Sequence, residues 1–131
     1  MKFVIILQAR TGSKRLRNKM TTKISKNINL LEFILLRLKK IKYFETIVAT
    51  TFLKEDNIIC EIAKKNGYKY FRGSKLNLLN RIYKCALEYN AENVIRLTGD
   101  NPFFEINLIK ELAKFHEEKK IRIFFKYQIP S

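Results

Sequence analysis

Short apolar runs alternate along this chain with segments whose apolar residues recur at helical spacing, from residue 3 to residue 127. Phe3-Val4-Ile5-Ile6-Leu7 is continuously apolar, as a strand buried on both faces is. Leu31, Ile34, Leu35 and Leu38 then fall on one helical stripe, with Asn29 placed as N-cap and Glu32 where a capping-box partner sits. A β-branched run at 46–50 predicts a second strand. Ile58, Ile59, Ile62 and Ala63 predict a second helix, stopped at Gly67. A short strand is expected at 68–71 and a third helix on Leu78, Leu79, Ile82, Ala86 and Leu87. A fourth strand at 93–97, a fourth helix at 106–119 and a last strand at 121–127 complete the pattern. Such alternation builds βαβ units, hence an α/β fold of three layers with a mostly parallel sheet, one domain over residues 1–131. Ligands of such sheets collect at the carboxyl ends of the strands. Three segments fall there: a basic loop at 9–26, Thr50-Thr51, and the turn at 98–102.

Several function classes are excluded. No apolar run approaches the ~18 residues of a membrane-spanning helix. The apolar run at 3–7 passes at once into Gln8, Arg10 and Lys14 without a small-residue cleavage site, so it reads as a first strand rather than a signal peptide. A cytoplasmic protein is expected. Cys60 and Cys85 are too few for a disulfide framework or a structural zinc site, and both fall among apolar helix positions, where free thiols belong. His116, the one histidine, falls near a helix end beside Lys119 and Lys120 and is not expected to be a ligand. Ser-His and Cys-His nucleophiles are thereby disfavoured.

Lys and Arg number 27 against 12 Asp and Glu, a net charge of +15. That field attracts anions: nucleic acid, acidic lipid or a phosphorylated small molecule. Solvated surface lysine is the plainer account of much of it. The aromatic residues fall in core-like positions rather than interleaved with cations, so nucleic acid is not the expected partner.

The basic loop carries the most chemistry. Arg10, Lys14, Arg15, Arg17 and Lys19 crowd around Gly12 directly after the first strand. A glycine lets the backbone turn tightly enough to aim N–H groups at an anion. Arg grips phosphate oxygens with a planar fork, and Lys acts as a point charge. The spacing is neither that of a Walker loop nor that of a dinucleotide fingerprint. A phosphate-binding loop and an exposed basic loop without a ligand both fit these residues.

Gln8-Ala9-Arg10-x-Gly12-Ser13-x-Arg15-Leu16-x-x-Lys19 resembles the opening signature of the cytidylyltransferase family. That family includes the acylneuraminate cytidylyltransferases and the spore-coat polysaccharide synthesis proteins. The resemblance continues in order through Ala49-Thr50-Thr51, Phe71-Arg72-Gly73-Ser74, Leu79-x-Arg81 and Arg96-Leu97-Thr98-Gly99-Asp100-Asn101-Pro102. It implies a nucleotide-diphospho-sugar transferase-like, Rossmann-like fold. It also implies transfer of CMP from CTP to a sugar hydroxyl, with release of pyrophosphate. By the same resemblance Gln8, Ala9, Arg10, Gly12, Ser13, Arg15 and Lys19 bind the triphosphate, with Arg10 and Lys19 neutralising it. Asp100 holds Mg²⁺, and Arg72, Ser74 and Arg81 help hold the nucleotide or the incoming sugar. Arg10, Lys19 and Asp100 are the catalytic candidates. On the residues alone, Asp100 also reads as a turn-former before Asn101-Pro102.

The chain departs from the family pattern at Arg17, where relatives usually carry Pro, at Asn27-Ile28-Asn29, which replaces a glycine-containing stretch, and at Asn77, commonly Asp. Relatives also have a second half, with a further acidic metal ligand, much of the sugar pocket and a dimer contact. The chain is therefore expected to be the N-terminal, nucleotide-binding portion. Activity, homodimer formation, a catalytically inactive remnant and a small basic nucleic-acid-binding protein stay open as alternatives.

Overall fold

A computed structural model of the chain describes residues 2–12, 19–25, 27–99 and 104–119. Strand β1 (Phe3–Gln8) leads through a 3-10 turn (Lys19–Thr21) to the short strands β2 (Lys23–Ser25) and β3 (Ile28–Asn29). Helix α1 (Leu30–Leu38), β4 (Glu45–Thr51), a second 3-10 turn (Lys54–Asp56) and α2 (Asn57–Lys65) follow. The chain continues as β5 (Lys69–Gly73), α3 (Leu78–Glu88), β6 (Asn93–Thr98) and α4 (Ile106–Lys119).

The main sheet has the order β5-β4-β1-β6 and is parallel throughout. β1 is central, pairing Val4 with Glu45 on one side and Phe3 with Asn93 on the other. A strand hydrogen-bonded on both edges and covered on both faces has no room for polar side chains, which is why its run stays apolar until Gln8. Ile5 and Leu7 point to one face, where Leu31, Ile34 and Leu35 of α1, Ile59 and Ile62 of α2 and Ile109 of α4 cover them. Val4 and Ile6 point to the other, under Cys85, Ile82 and Ala86 of α3. Each fully buried Leu or Ile stabilises the fold by about 1.5–3 kcal/mol. The chain moves outward from β1 through β4 to β5 with α1 and α2 on the first face. It then returns through α3, on the second face, to β6 on the far side of β1. Helices change faces because right-handed crossovers that reverse direction must do so.

Local signals read from the sequence hold at α1, where Asn29 Oδ1 accepts the Glu32 N–H at 2.8 Å. Three expectations are corrected. The loop at 9–26 contains a 3-10 turn and β2, which pairs antiparallel with β3. Ile58 is exposed, and α2 buries Cys60 beside Ile59 and Ile62 instead. On α3 the fully buried residues are Arg81 and Cys85, with Ile82 and Ala86 packed beside them as expected, while Leu79 and Leu87 are 75% and 57% exposed. His116 lies within α4, its Nε2 2.8 Å from Asn93 Oδ1 and its ring edge-on to Phe3. The expected strand at 121–127 lies outside the described residues. Among those residues no helix is long and apolar enough to cross a membrane.

Candidate functional site

Strand order reverses between β1 and β6, and the crevice at the carboxyl ends of those two strands is where an open parallel sheet binds its ligand. The Gly99 N–H closes the pairing by donating to the Gln8 carbonyl at 3.0 Å. Diagonally across the pair, Gln8 Oε1 accepts from Arg96 Nη2 at 2.9 Å and lies 3.3 Å from Arg96 Nε. Ala9 is buried, and its N–H donates to the Ala49 carbonyl at 3.0 Å, so its backbone continues the sheet for one more residue. Arg10, half-buried, is where the chain leaves the sheet.

Arg81 comes from α3 to the carboxyl end of β5, on the same side of the sheet. Gly73, the last residue of β5, allows this: a Cβ there would stand 2.8 Å from Arg81 Cγ and 3.3 Å from its Cα. Ser74 and Asn77 build the start of the helix. The Asn77 N–H donates to Ser74 Oγ at 3.0 Å, and Asn77 Oδ1 accepts the Asn80 N–H at 2.9 Å. The Ser74 carbonyl accepts Arg81 Nε at 3.0 Å. Arg81 is 2% exposed, and its Nη1 is buried with no hydrogen-bond partner among the described residues. Burial, then the nearby Arg10 and Arg96 guanidiniums, lower its pKa, while Asp56 acts against them. Arg81 is thus a buried guanidinium with a donor unused among the described residues, in the field of two others, Arg10 and Arg96. Such an arrangement is costly alone and is relieved by an anion that accepts from it.

Other expected residues occupy defined positions. Arg72 donates from Nε to the Thr51 carbonyl at 2.7 Å, from Nη2 to the Leu53 carbonyl at 2.8 Å and from Nη1 to Asn57 Oδ1 at 2.8 Å. It braces the corner between β4 and α2. Gly12 packs beside the second 3-10 turn, where a Cβ would meet Glu55 Oε1 at 2.9 Å. Lys19 opens the first 3-10 turn. Ser13, Arg15 and Asp100 lie outside the described residues.

Sequence reasoning passed over Asp56. It is fully buried and receives the Thr11 N–H at 2.7 Å, the Thr11 hydroxyl at 2.9 Å and, on its other oxygen, the Thr51 hydroxyl. No local pattern marks it: Thr51 is five residues away, but Thr11 comes from 45 residues away. Among the described residues no group of three or more His, Cys, Asp or Glu stands close enough to hold a metal ion.

A parallel sheet whose strand order reverses beside β1, with helices on both faces, defines a doubly wound α/β protein. Residues 4–128 match the cytidylyltransferase family, and the chain belongs to it. It is 45% identical over 116 residues to an uncharacterized protein of Methanocaldococcus jannaschii, covering 88% of this chain and 47% of that protein. It is 31% identical over 118 residues to the spore coat polysaccharide biosynthesis protein SpsF of Bacillus subtilis, covering 86% of this chain and 49% of SpsF. The chain thus spans about half the length of the curated relatives it matches. A cytidylyltransferase structure from Leptospira borgpetersenii superposes with a TM-score of 0.87 at 37% identity, over 92% of this chain and 50% of that one. The fold is also that of a CMP:2-keto-3-deoxy-manno-octonic acid synthetase solved with CTP, at a TM-score of 0.77 and 22% identity, over 92% of this chain and 49% of the synthetase.

Proposed function

We propose that this chain forms the nucleotide-binding portion of a cytidylyltransferase that moves CMP from CTP to a sugar. The observation that carries this is the buried Arg81, whose Nη1 has no partner among the described residues and whose charge lies in the field of Arg10 and Arg96. A triphosphate is the ligand that matches several fixed cations in one crevice. Family membership supplies the base and the reaction class.

In the reaction, a sugar hydroxyl oxygen bonds to the α-phosphorus of CTP as the bond from that phosphorus to the bridging oxygen breaks. Pyrophosphate leaves with the electron pair, and the hydroxyl proton is lost. Such transfer needs positioning and charge neutralisation and no covalent nucleophile. Arg10, Arg81 and Lys19 would hold and neutralise the phosphates, with Gln8 and Gly12 shaping the floor beneath them. Ser74 would hold Arg81 in place, and Arg72 would hold the β4–α2 corner. Ser13 and Arg15 complete the loop.

Mg²⁺ bound with the nucleotide would offset the charge of its phosphates. Asp56 does not suit it, because both its oxygens already accept hydrogen bonds from Thr11 and Thr51. Asp100 is the residue we assign to the metal. Use of a nucleoside triphosphate supports a cytoplasmic location.

Calorimetric titration with CTP, UTP, GTP and ATP in the presence of Mg²⁺ tests this reading. CTP is expected to bind most tightly, Arg10→Ala to weaken it by at least about tenfold, and Asp100→Asn to remove its Mg²⁺ dependence. No nucleotide binding up to millimolar concentration would overturn the proposal. Binding without pyrophosphate release in the presence of sugars would favour a nucleotide-binding role without turnover.

A further inference from the structure

A side chain as polar and as completely buried as Asp56 is tolerated only if donors replace the water it has lost. Here they come from two places distant in sequence. The Thr11 N–H and hydroxyl converge on Oδ1 at 2.7 and 2.9 Å, from 45 residues away. The Thr51 hydroxyl takes Oδ2, and Thr51 Oγ1 in turn accepts the Leu53 N–H at 3.1 Å. Thr11 Oγ1 also lies 3.3 Å from the Glu55 carbonyl, but its single proton goes to the nearer, charged acceptor. The network therefore ties three segments together: the residue after Arg10, the end of β4, and the 3-10 turn that precedes α2.

Thr11 stands between Arg10 and Gly12, where the chain has left the sheet and no ladder hydrogen bond holds it. Its backbone N–H would otherwise be free to turn, and with it the direction in which Arg10 departs. Both Asp56 oxygens are occupied and the residue is 0% exposed, so it can neither touch a nucleotide nor move a proton to one. We infer that Asp56 is a positioning residue: through Thr11 it fixes the start of the anion-binding loop, so that Arg10 and the backbone after it meet the phosphates already ordered. This rests on the loop holding a triphosphate, as proposed above. The gain is one of preorganisation, since a loop ordered before binding loses less entropy when the ligand arrives.

The test compares Asp56→Asn, Thr11→Val and Thr11→Ser in the full chain. CTP with Mg²⁺ and inorganic tripolyphosphate are titrated well below each variant's melting temperature. Asp56→Asn and Thr11→Val are expected to weaken both ligands by about tenfold. Thr11→Ser, which restores the hydroxyl, recovers most of what Thr11→Val loses. A network that merely stabilised the fold would lower the melting temperature and leave the affinity of the folded protein unchanged, and that result would overturn the inference. If Asp56→Asn does not fold, the two Thr11 variants decide the question alone. Should wild-type protein bind neither ligand, the inference falls together with the functional reading; wild-type binding matched by Thr11→Val overturns the inference only.

Discussion

Gln8 at the end of β1 and Arg96 on β6 lock together across the line where strand order reverses, Gln8 Oε1 accepting Arg96 Nη2 at 2.9 Å. A neutral amide does this without cancelling the arginine's charge. The crevice keeps its positive potential, and Arg96 keeps a fixed orientation.

Gln8→Glu is the direct test. The new carboxylate would pair with Arg96, neutralise it and repel phosphates, so CTP affinity should fall by at least about tenfold. The ligand-free melting temperature should stay level or rise. Equal affinity in the variant, measured by calorimetry at two salt concentrations, would show that the site's potential is not set here.

Arg81→Met should separate stability from binding. It removes a buried charge and an unpartnered donor while filling similar volume, and such replacements are often neutral or stabilising. The loss of the bond to the Ser74 carbonyl acts the other way. A ligand-free stability within about 1 kcal/mol of wild type is expected, together with loss of the CTP-induced rise in melting temperature. A retained thermal shift would remove Arg81 from the site.

Gly73→Ala should damage the same site indirectly. Its Cβ would press on Arg81 Cγ at 2.8 Å, Phe71 Cε1 at 3.0 Å and Arg81 Cα at 3.3 Å, and the last of these is backbone. Relief requires α3 to move outward, at a cost of about 1–3 kcal/mol. Denaturant titration should register that loss, and CTP affinity should fall with it. Wild-type values for both would mean that α3 tolerates the shift.

Alkaline pH should unfold the protein in two overlapping stages. Burial pushes the Cys85 thiol up from 9.0 to about 12 and the Tyr68 phenol up from 10.0 to about 12. Tyr68 also donates its proton to the Leu35 carbonyl at 2.6 Å. In the fold both groups keep protons that the unfolded chain releases. Their contribution is complete below pH about 9 and declines as pH rises through about 12. Urea midpoints measured from pH 8 upward should fall accordingly. Cys85→Ala should flatten the early part of that decline and Tyr68→Phe the part above pH 10. A flat wild-type profile would contradict both assignments.

β1, β4 and α1 were legible because each rests on a local rule: an uninterrupted apolar run for β1, a β-branched run for β4, a cap at Asn29. The buried face of α3 was legible only at Ile82 and Ala86. Periodicity places leucines inside, yet here Leu79 and Leu87 face out while Arg81 turns in beside Gly73. A buried arginine has no signature in hydrophobic spacing. Asp56 was hidden for a different reason, since its meaning lies in Thr11, 45 residues away, and only the folded sheet brings the two together. Arg72 was visible as a cation near the site, but which carbonyls would take its donors depended on how β4 turns into α2.

Parallel pairing of β1 with β6 also has a consequence for synthesis. Gln8 and Arg96 are 88 residues apart, so at ~5–20 residues per second the ribosome needs roughly 5–20 s to deliver the second after the first. Throughout that interval Phe3-Val4-Ile5-Ile6-Leu7 has one edge without its eventual neighbour, and it is uncharged, rich in β-formers and free of proline. The most apolar strand of the finished protein is thus the segment most open to pairing with another nascent chain. Yield at high expression should depend on how quickly residues 93–98 follow it and on chaperones that cover β1 in the meantime.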